Sequence, residues 1–486
     1  MRANNLTTAN SNLLAAAEAT IQRGSAELRK ELGFRDLIFA QILAVMVPDF
    51  FGTAVKAGAS HVVLWLLAIV LFFIPQAALV AHLNRLMPLE GGLYEWARLA
   101  FNDGLGFLVA WNLWLFGTLY TAVIGLIAAT FLAYVLGIGA VWAATSGPFI
   151  LAASVVCIVA LILIARLGLR VGKWVNNFGS VCILITLGVL IVMPFAAVWS
   201  GTLAEYHPLR LVAPPLTLFS LSVFGKMTFG ALTSLEYVAI FAGESRDAAR
   251  NYGKSIGVAA PIVALLYILG TSAILAFVSP ESVDVVGSIP QALSRGGAAF
   301  GFAKFLVPVA IVLLFANYLS NFNLNFSANT RLPMVAGWDH LLPEWFAKLD
   351  PKRKTPVNSI FFVGGIALAA AIVALIGVGA EEAYELLLTW SFTFYGLTYL
   401  VMFAIPLVAN KNRGLRPKIW LRFAAACGFL VTLLFVLLSA FPIIDVQRRW
   451  LYSLKTICVV AGANGIGYVI YRVGSRRHQE AVRAGQ

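Results

Sequence analysis

Long apolar stretches recur from one end of the chain to the other, and each is long enough to cross a hydrocarbon layer about 30 Å thick. Hydrophobic residues make up 60% of the chain and charged residues only 12%, about half the share in a soluble domain. The stretches are continuously apolar, and backbone groups in lipid must be paired within their own segment. The sequence therefore predicts an all-α membrane protein with about twelve transmembrane helices.

The predicted spans are numbered 1 to 12 in chain order. They cover residues 34–56, 62–86, 104–136, 147–167, 173–199, 218–243, 253–278, 299–326, 357–379, 384–409, 419–441 and 450–473. The residues before span 1 are polar and rich in alanine, with no apolar signal-peptide core. They predict a tail that stays outside the membrane.

The net charge of +13 is distributed unevenly across the predicted membrane. About 27 of the 35 Lys and Arg residues fall in the two tails and the even-numbered junctions, and about seven fall on the opposite side. Cytoplasmic loops carry such an excess, so both termini are predicted to be cytoplasmic in a multi-pass protein of the cell membrane. The basic residues are expected to contact membrane lipid headgroups, and no nucleic-acid partner is expected.

The usual signatures of enzymes, metal sites and nucleotide-driven pumps are not found in the sequence. The five histidines are scattered, and no GxxxxGK[ST] loop is present. We therefore expect no metal, no cofactor, no catalytic residue and no enzymatic activity. The cysteines lie singly within spans and are predicted to be small hydrophobic residues: Cys157, Cys182, Cys427 and Cys458.

Two acidic residues, Asp49 and Glu236, lie deep within predicted spans, whereas about 20 of the 22 acids lie in loops, tails or span ends. An ionisable group at membrane depth costs at least about 2.5 kcal/mol, so each should face a cavity or a partner. The alternative is an interhelical pair or a protonated packing residue.

Small, polar or proline residues interrupt the helix beside each acid. They are Pro48 and Gly52 in span 1, and Gly230, Thr233 and Ser234 in span 6. An interruption frees backbone groups, which is tolerated at membrane depth only where they line a protein cavity. The new helix ends carry partial charges that can hold a solute carboxylate.

Interrupted spans 1 and 6 lie five helices apart, as expected if spans 1–5 and 6–10 are two halves. An odd number of helices in each half makes the second half inverted, an arrangement typical of secondary transporters. The predicted domains are a cytoplasmic tail at 1–33, a ten-helix inverted-repeat transport core at 34–409, two additional transmembrane helices at 410–473 and a cytoplasmic tail at 474–486.

Three blocks of sequence carry a family resemblance over roughly residues 34–440. They are "PLEGGLYEWARLAFNDGLGFLVAW" (88–111), "SLEYVAIFAGESRDAARNY" (234–252) and "SANTRLPMVAGWDHLLPEWFAKLDPKRKTPVNS" (327–359). In these residues the chain resembles the amino acid–polyamine–organocation (APC) superfamily of permeases. The resemblance implies a secondary active transporter of amino acids or related amines, working by alternating access with proton coupling, symport or exchange.

The chain also departs from the family pattern. Where the family commonly has Gly-Ser-Gly at the span 1 break, this chain has "VPDFFGTA", with Gly52 and Thr53 as the nearest equivalents. It lacks the span 5 lysine that many relatives use in place of a sodium ion. These features look nearer the glutamate/GABA-exchanger-like branch, and they leave the solute and the coupling ion open.

Three classes of function remain for such a chain. A transporter of amino acids, or alternatively of polyamines and other organocations, fits the broken spans and the buried acids. A channel or sensor on the same scaffold is the second class, and accumulation against a gradient separates transport from it. A membrane-embedded enzyme would need a catalytic cluster, which the sequence lacks.

The solute is predicted to bind between the two breaks. Backbone groups there would hold its carboxylate, and Asp49 would favour solutes with an amino group. Glu236 is predicted to be a proton-sensitive gate on the cytoplasmic half of the pathway. The predicted binding residues are Asp49, Phe50, Phe51, Gly52, Thr53, Gly230, Thr233 and Ser234.

Other polar and aromatic residues within spans carry weaker expectations. Asn317 and Asn321 share one helix face, which either lines the pathway or makes hydrogen bonds between helices. Lys226 lies too far along the helix to pair with Glu236 and is expected to extend toward the outer interface. The aromatic stretch at 390–400 either lines a gate or packs in the core.

Overall fold

The computed structural model describes residues 28–87, 89, 91–136, 141–297, 303–338, 341–375, 379–408, 417–441 and 449–483. Within these ranges the regular structure is helical, apart from one isolated backbone pairing between Leu32 and Ser245. Eleven described helices are long and apolar enough to cross a membrane, or twelve if the bent first pair is one span. The predicted all-α class with about twelve transmembrane helices is confirmed.

The spans keep their predicted order. Their observed bounds are Phe34–Val45 with Asp49–Val55 (span 1), Gly58–Leu86 (span 2), Asp103–Leu136 (span 3), Gly147–Leu167 (span 4), Leu169–Trp199 (span 5), Leu218–Leu232 with Tyr237–Glu244 (span 6), Ala248–Leu275 (span 7), Ala303–Trp338 (span 8), Val357–Ala374 (span 9), Ala380–Val408 (span 10), Ile419–Leu438 (span 11) and Arg449–Arg483 (span 12). Shorter helices lie at Leu93–Ala100, Val141–Thr145, Ser288–Gly297 and Glu344–Ala347.

Two helices extend beyond the apolar stretches from which they were predicted. Span 8 continues past residue 326 to Trp338, and span 12 continues past residue 473 to Arg483. Hydropathy marks where lipid ends, whereas a helix continues until its backbone pairing stops. Part of the segment predicted as a C-terminal tail is therefore helical. Residues 1–27 of the predicted N-terminal tail, and Pro88 and Glu90 of the first family block, lie outside the described residues.

Span 1 bends by 49° between its two helices. Pro48 lies in the connection and has no backbone N–H to continue the helical ladder. The groups freed there are met by Tyr267 of span 7. Its hydroxyl accepts a hydrogen bond from the Val47 amide at 2.9 Å and lies 3.0 Å from the Val45 carbonyl oxygen, to which it can donate. The break is stable at membrane depth because a neighbouring helix supplies its partners.

Span 6 breaks after Leu232 and resumes as a 3₁₀ helix at Tyr237. Ser234, in the connection, has a φ of 80°, which lies in the left-handed region that residues with a side chain rarely adopt. Its amide donates to the Tyr399 hydroxyl of span 10 at 2.9 Å. Strained backbone of this kind clusters at ligand clamps and switch regions.

The segment before span 1 docks beside the end of span 6. The Leu32 amide donates to the Glu244 carbonyl oxygen at 3.1 Å, and the Arg246 amide donates to that of Leu32 at 2.9 Å. The Lys30 ammonium donates to the Gly243 carbonyl oxygen. The Glu244 side chain forms a buried ion pair with Arg331 of span 8, with 2.9 Å between nitrogen and oxygen. This end of the helix bundle is closed by backbone pairing and a buried charge pair.

Candidate functional site

A pocket lies between the second helix of span 1, the first helix of span 6, and spans 10 and 11. It is narrow in this conformation, with about 30 Å³ open to the centres of water-sized spheres. We name it the Asp49 pocket. Its polar lining includes Asp49, Thr53, Lys226, Tyr384, Glu385 and Thr389. Backbone of Val285, from the connection after span 7, covers one side of it.

Asp49 begins the second helix of span 1 and is 2% exposed. The Tyr384 hydroxyl of span 10 donates a hydrogen bond to its Oδ1 atom. Its Oδ2 atom makes no hydrogen bond of normal geometry with the described residues, although Tyr318 lies close by. A buried carboxylate oxygen without a good donor, on a residue that lines a pocket, is an acceptor that still needs a hydrogen-bond partner.

Lys226 and Glu385 form a buried ion pair in the same pocket, with 3.5 Å between Nζ and Oε1. They are 7% and 6% exposed. The prediction that Lys226 extends toward the interface is therefore wrong, because a carboxylate on span 10 is within reach. Glu385 was also expected among the acids at span ends. Its helix begins at Ala380, so Glu385 lies more than one turn inside and faces the pocket.

Glu236 lies at the start of the second helix of span 6 and is 1% exposed. The Tyr395 and Tyr399 hydroxyls of span 10 both donate to its carboxylate. The Gln76 amide of span 2 lies 3.4 Å from its Oε2 atom. No ion pair to Glu236 occurs in the described part of the chain, so its hydrogen-bond partners there are neutral donors.

One face of span 10 serves both acids. Tyr384, Phe392, Tyr395 and Tyr399 are spaced by eight, three and four residues, which places them on one side of a helix. The predictions for the 390–400 stretch, gate lining or core packing, do not connect it with either acid. Tyrosines three or four residues apart inside an apolar span, in a chain with two buried acids, were the available signal.

Aromatic rings in edge-on and stacked contact connect the Asp49 pocket to Glu236 and its tyrosine partners. The Phe50 and Phe392 rings lie 4.9 Å apart between centroids, and the Phe116 ring lies 5.4 Å from Phe392. Phe116 also stacks on Tyr395 at 4.0 Å. A solute passing from one acid to the other would have to move these rings.

The structure brings some of the predicted binding residues to the pocket and not others. Asp49, Phe50 and Thr53 line it. Phe51 instead packs on Tyr267 of span 7, with 4.9 Å between ring centroids. A Cβ atom added at Gly52 would lie 2.6 Å from the Val285 carbonyl oxygen. The absence of a side chain at Gly52 therefore lets the connection that contains Val285 approach span 1 closely.

The predicted residues of span 6 lie at or near its break. Thr233 ends the first helix and is buried, and the Ser234 hydroxyl lies 3.2 Å from that of Tyr395. Gly230 lies one turn earlier. A Cβ atom added there would lie 2.0 Å from the Phe50 ring, so Gly230 allows the two broken spans to approach.

The predicted asparagine face of span 8 makes hydrogen bonds to neighbouring helices. The Asn321 amide donates to the Leu43 carbonyl oxygen of span 1 at 2.6 Å. The Asn317 amide donates to that of Gly179 in span 5 at 3.2 Å. These bonds favour the helix-packing alternative for both residues, whereas pathway lining stays a prediction.

The described residues contain no group of three or more His, Cys, Asp or Glu side chains suited to a metal ion. All four cysteines are free thiols. Cys157 and Cys182 are buried, as expected of small hydrophobic residues, whereas Cys427 is half-buried and Cys458 exposed.

Comparison with known proteins gives a family match across most of the chain. The family model described as "Amino acid permease" matches residues 32–463. This match confirms the predicted resemblance to the APC superfamily. The finer prediction of the glutamate/GABA-exchanger-like branch stays a prediction.

Individual relatives align over most of their own length. The chain is 26% identical over 395 residues to an uncharacterized transporter of Legionella pneumophila, covering 80% of this chain and 83% of the relative. It is 24% identical over 386 residues to the branched-chain amino acid permease BcaP of Bacillus subtilis, covering 75% and 80%. It is 27% identical over 429 residues to the low-affinity putrescine importer PlaP of Escherichia coli, covering 83% and 87%.

Proposed function

Because this chain belongs to the amino acid permease family and is a multi-pass membrane transporter, we propose that it carries a solute with an ammonium group, bound at Asp49. The family implies a small amino acid or amine as the solute. The single observation that supports the site is that Asp49 lines the pocket while its buried Oδ2 atom has no good donor among the described residues. An ammonium brings the donors and the opposite charge that this atom needs.

The transport cycle follows from the two breaks. Spans 1 and 6 each consist of two helices joined by backbone that a tyrosine from another span holds in place. Half-helices can tilt separately when such bonds exchange, which opens the pocket to one side of the membrane at a time. In this proposal both termini are cytoplasmic, as the distribution of Lys and Arg supports, and the protein resides in the cell membrane in contact with anionic lipid.

Glu236 is the proposed site of proton coupling. As a carboxylate it can accept all three neighbouring donors, whereas a protonated carboxyl must donate one hydrogen bond itself. Protonation therefore forces Tyr395, Tyr399 or Gln76 to turn. Since Tyr399 also holds the Ser234 amide, this change reaches the backbone of the break.

Uptake into liposomes tests the proposal. Purified protein is given single radiolabelled amino acids or putrescine, with and without an imposed proton gradient. Accumulation against a gradient supports a transporter, whereas equilibration alone supports a channel. Asp49→Asn should weaken binding of ammonium-bearing solutes by about tenfold or more, the effect of losing one charge pair worth about 1.4 kcal/mol.

A matched control is Asp350→Asn, because Asp350 lies half-buried in a loop and is not part of the pocket lining. It should leave uptake unchanged. Equal uptake by the wild type and the Asp49→Asn variant would contradict the assigned role of Asp49 without affecting the family assignment.

A further inference from the structure

Three charged side chains line the Asp49 pocket, and their arrangement bears on the identity of the solute. They are Asp49, Lys226 and Glu385, and each is at least nine-tenths buried. Lys226 is paired only with Glu385 among the described residues, and the contact of 3.5 Å is long for a charged hydrogen bond. The Oδ2 atom of Asp49 and the Oε1 atom of Glu385 both lack a hydrogen bond of normal geometry with the described residues.

The charge of this lining is unbalanced when both acids are ionised. Two carboxylates face one ammonium, so the lining carries a net charge of −1, and an unpaired charge is costly when it is buried. Lys56, whose charge repels that of Lys226, lies outside this lining. A bound solute with a net charge of +1 would remove the imbalance. A neutral zwitterion leaves the charge at −1, and a diamine reverses it to +1.

Two of the backbone amides at the breaks, where a solute carboxylate was predicted to bind, already have partners. The Val47 amide is bonded to Tyr267, and the Ser234 amide to Tyr399. Lys226 is a cation in the pocket wall with a single long contact, so it is the better donor for a carboxylate. A solute with a carboxylate can therefore use Lys226 without breaking the bonds that hold either break.

We propose that the pocket selects a basic amino acid, a solute with two cationic groups and one carboxylate. This inference rests on the proposed function and names its substrate class. The α-ammonium of the solute binds Asp49, and its carboxylate binds Lys226. The side-chain cation binds Glu385, which thereby replaces its ion pair with Lys226 by one with the solute. A diamine has no carboxylate to bind Lys226, and its positive charges repel the Lys226 ammonium. A neutral amino acid takes Lys226 and leaves Glu385 without a cation.

The experiment measures uptake of radiolabelled lysine into liposomes, with unlabelled lysine, leucine and putrescine as competitors. For the wild type, lysine should compete about tenfold better than either of the others, since one charge pair is worth about one factor of ten. Lys226→Met should reduce the affinity for lysine and improve that for putrescine. Glu385→Gln should remove the advantage of lysine over leucine, because leucine then binds Lys226 without leaving a carboxylate unpaired and its affinity improves.

Each single variant leaves a buried charge without its partner and could misfold for that reason. A double variant and a control variant therefore complete the test. The double variant Lys226→Met, Glu385→Gln removes the pair together and should fold like the wild type. Its apparent Tm should rise equally with lysine and with putrescine, whereas the wild-type Tm should rise more with lysine. Thr432→Val, a change in span 11 outside the pocket lining that removes only a hydrogen bond within its own helix, should keep the wild-type order of solutes.

The outcomes separate the two proposals. Uptake of leucine or putrescine at least as good as that of lysine, unchanged in the variants, overturns the basic amino acid and leaves the transporter intact. A wild type that takes up none of the three and gains no thermal stability from lysine also overturns the basic amino acid, whereas the proposed function is contradicted only if no amino acid in the liposome screen is taken up.

Discussion

The hydroxyl of Tyr399 accepts a hydrogen bond from the backbone amide of Ser234 at 2.9 Å, across 165 residues of sequence. The same hydroxyl donates to the carboxylate of Glu236, two residues further along span 6. One side chain of span 10 thus fixes both the strained backbone of the break and the acid beside it. Four predictions follow from this relationship and from its counterparts in the other broken span.

Removing the Tyr267 hydroxyl should destabilise the protein. Tyr267→Phe leaves the buried Val47 amide without its partner, which should lower the free energy of unfolding by about 1–3 kcal/mol. Tyr120→Phe is the control, because the buried Tyr120 hydroxyl has no hydrogen-bond partner among the described residues. Thermal unfolding in detergent should show a lower Tm for the first variant and an unchanged or higher Tm for the second. Equal effects would contradict the role of Tyr267 at the break.

The conformation of Ser234 should make its position tolerant of glycine and intolerant of a β-branched residue. At a φ of 80° glycine is not strained, whereas valine adds a cost of about 1–3 kcal/mol. Ser234→Gly should therefore retain uptake, and Ser234→Val should lose most of it together with thermal stability. If valine is as well tolerated as glycine, the left-handed backbone at this break is not required for the working protein.

Adding one methyl group at Gly230 should reduce transport. The new Cβ atom would lie 2.0 Å from the Phe50 ring, which must then rotate away from Phe392. Overpacking of this kind costs about 1–3 kcal/mol, so Gly230→Ala should reduce uptake about tenfold while expression persists. Gly257→Ala is the matched control, since nothing lies within 4 Å of a Cβ atom there. Similar uptake by both variants would show that close packing of Phe50 is unimportant.

Replacing Glu236 by glutamine should separate transport from the proton gradient. In wild-type liposomes, an acidic exterior should increase uptake if, as proposed, proton entry through Glu236 drives the cycle. Glu236→Gln cannot take up a proton, so its uptake should not respond to the gradient while exchange of solute persists. Glu205→Gln is a suitable control, since Glu205 is exposed in a loop. An unchanged response in Glu236→Gln would leave this residue as a polar anchor between helices.

The sequence was sufficient for the features that depend on composition and on position along the chain. Apolar length predicted the number and order of the spans, and Pro48 together with the small residues before Glu236 predicted both interruptions. Each acid was identified because a carboxylate is costly within an apolar helix, whatever its surroundings.

The partners of those acids could not be predicted in the same way. Tyr384, Tyr395 and Tyr399 are amphipathic, and periodicity alone does not distinguish a packed ring from one whose hydroxyl meets a carboxylate. Lys226 and Glu385 come together from spans 6 and 10, and their pairing depends on the rotation of two helices. Phe51 differs from Phe50 by one position, and that step turns its ring from the pocket to span 7.

The docking of residues 28–33 beside span 6 has a consequence for biogenesis. Lys30 and Gly243 are 213 residues apart. At ribosomal rates the end of span 6 is therefore synthesised on the order of 10 to 40 s after residues 28–33, which dock against it. Span 1 can enter the membrane early, yet the Leu32 amide just before it has its acceptor, the Glu244 carbonyl oxygen, only after span 6 has been made. A nascent chain that stops before Gly243 therefore lacks the backbone pairing that fixes the start of span 1 in the complete protein.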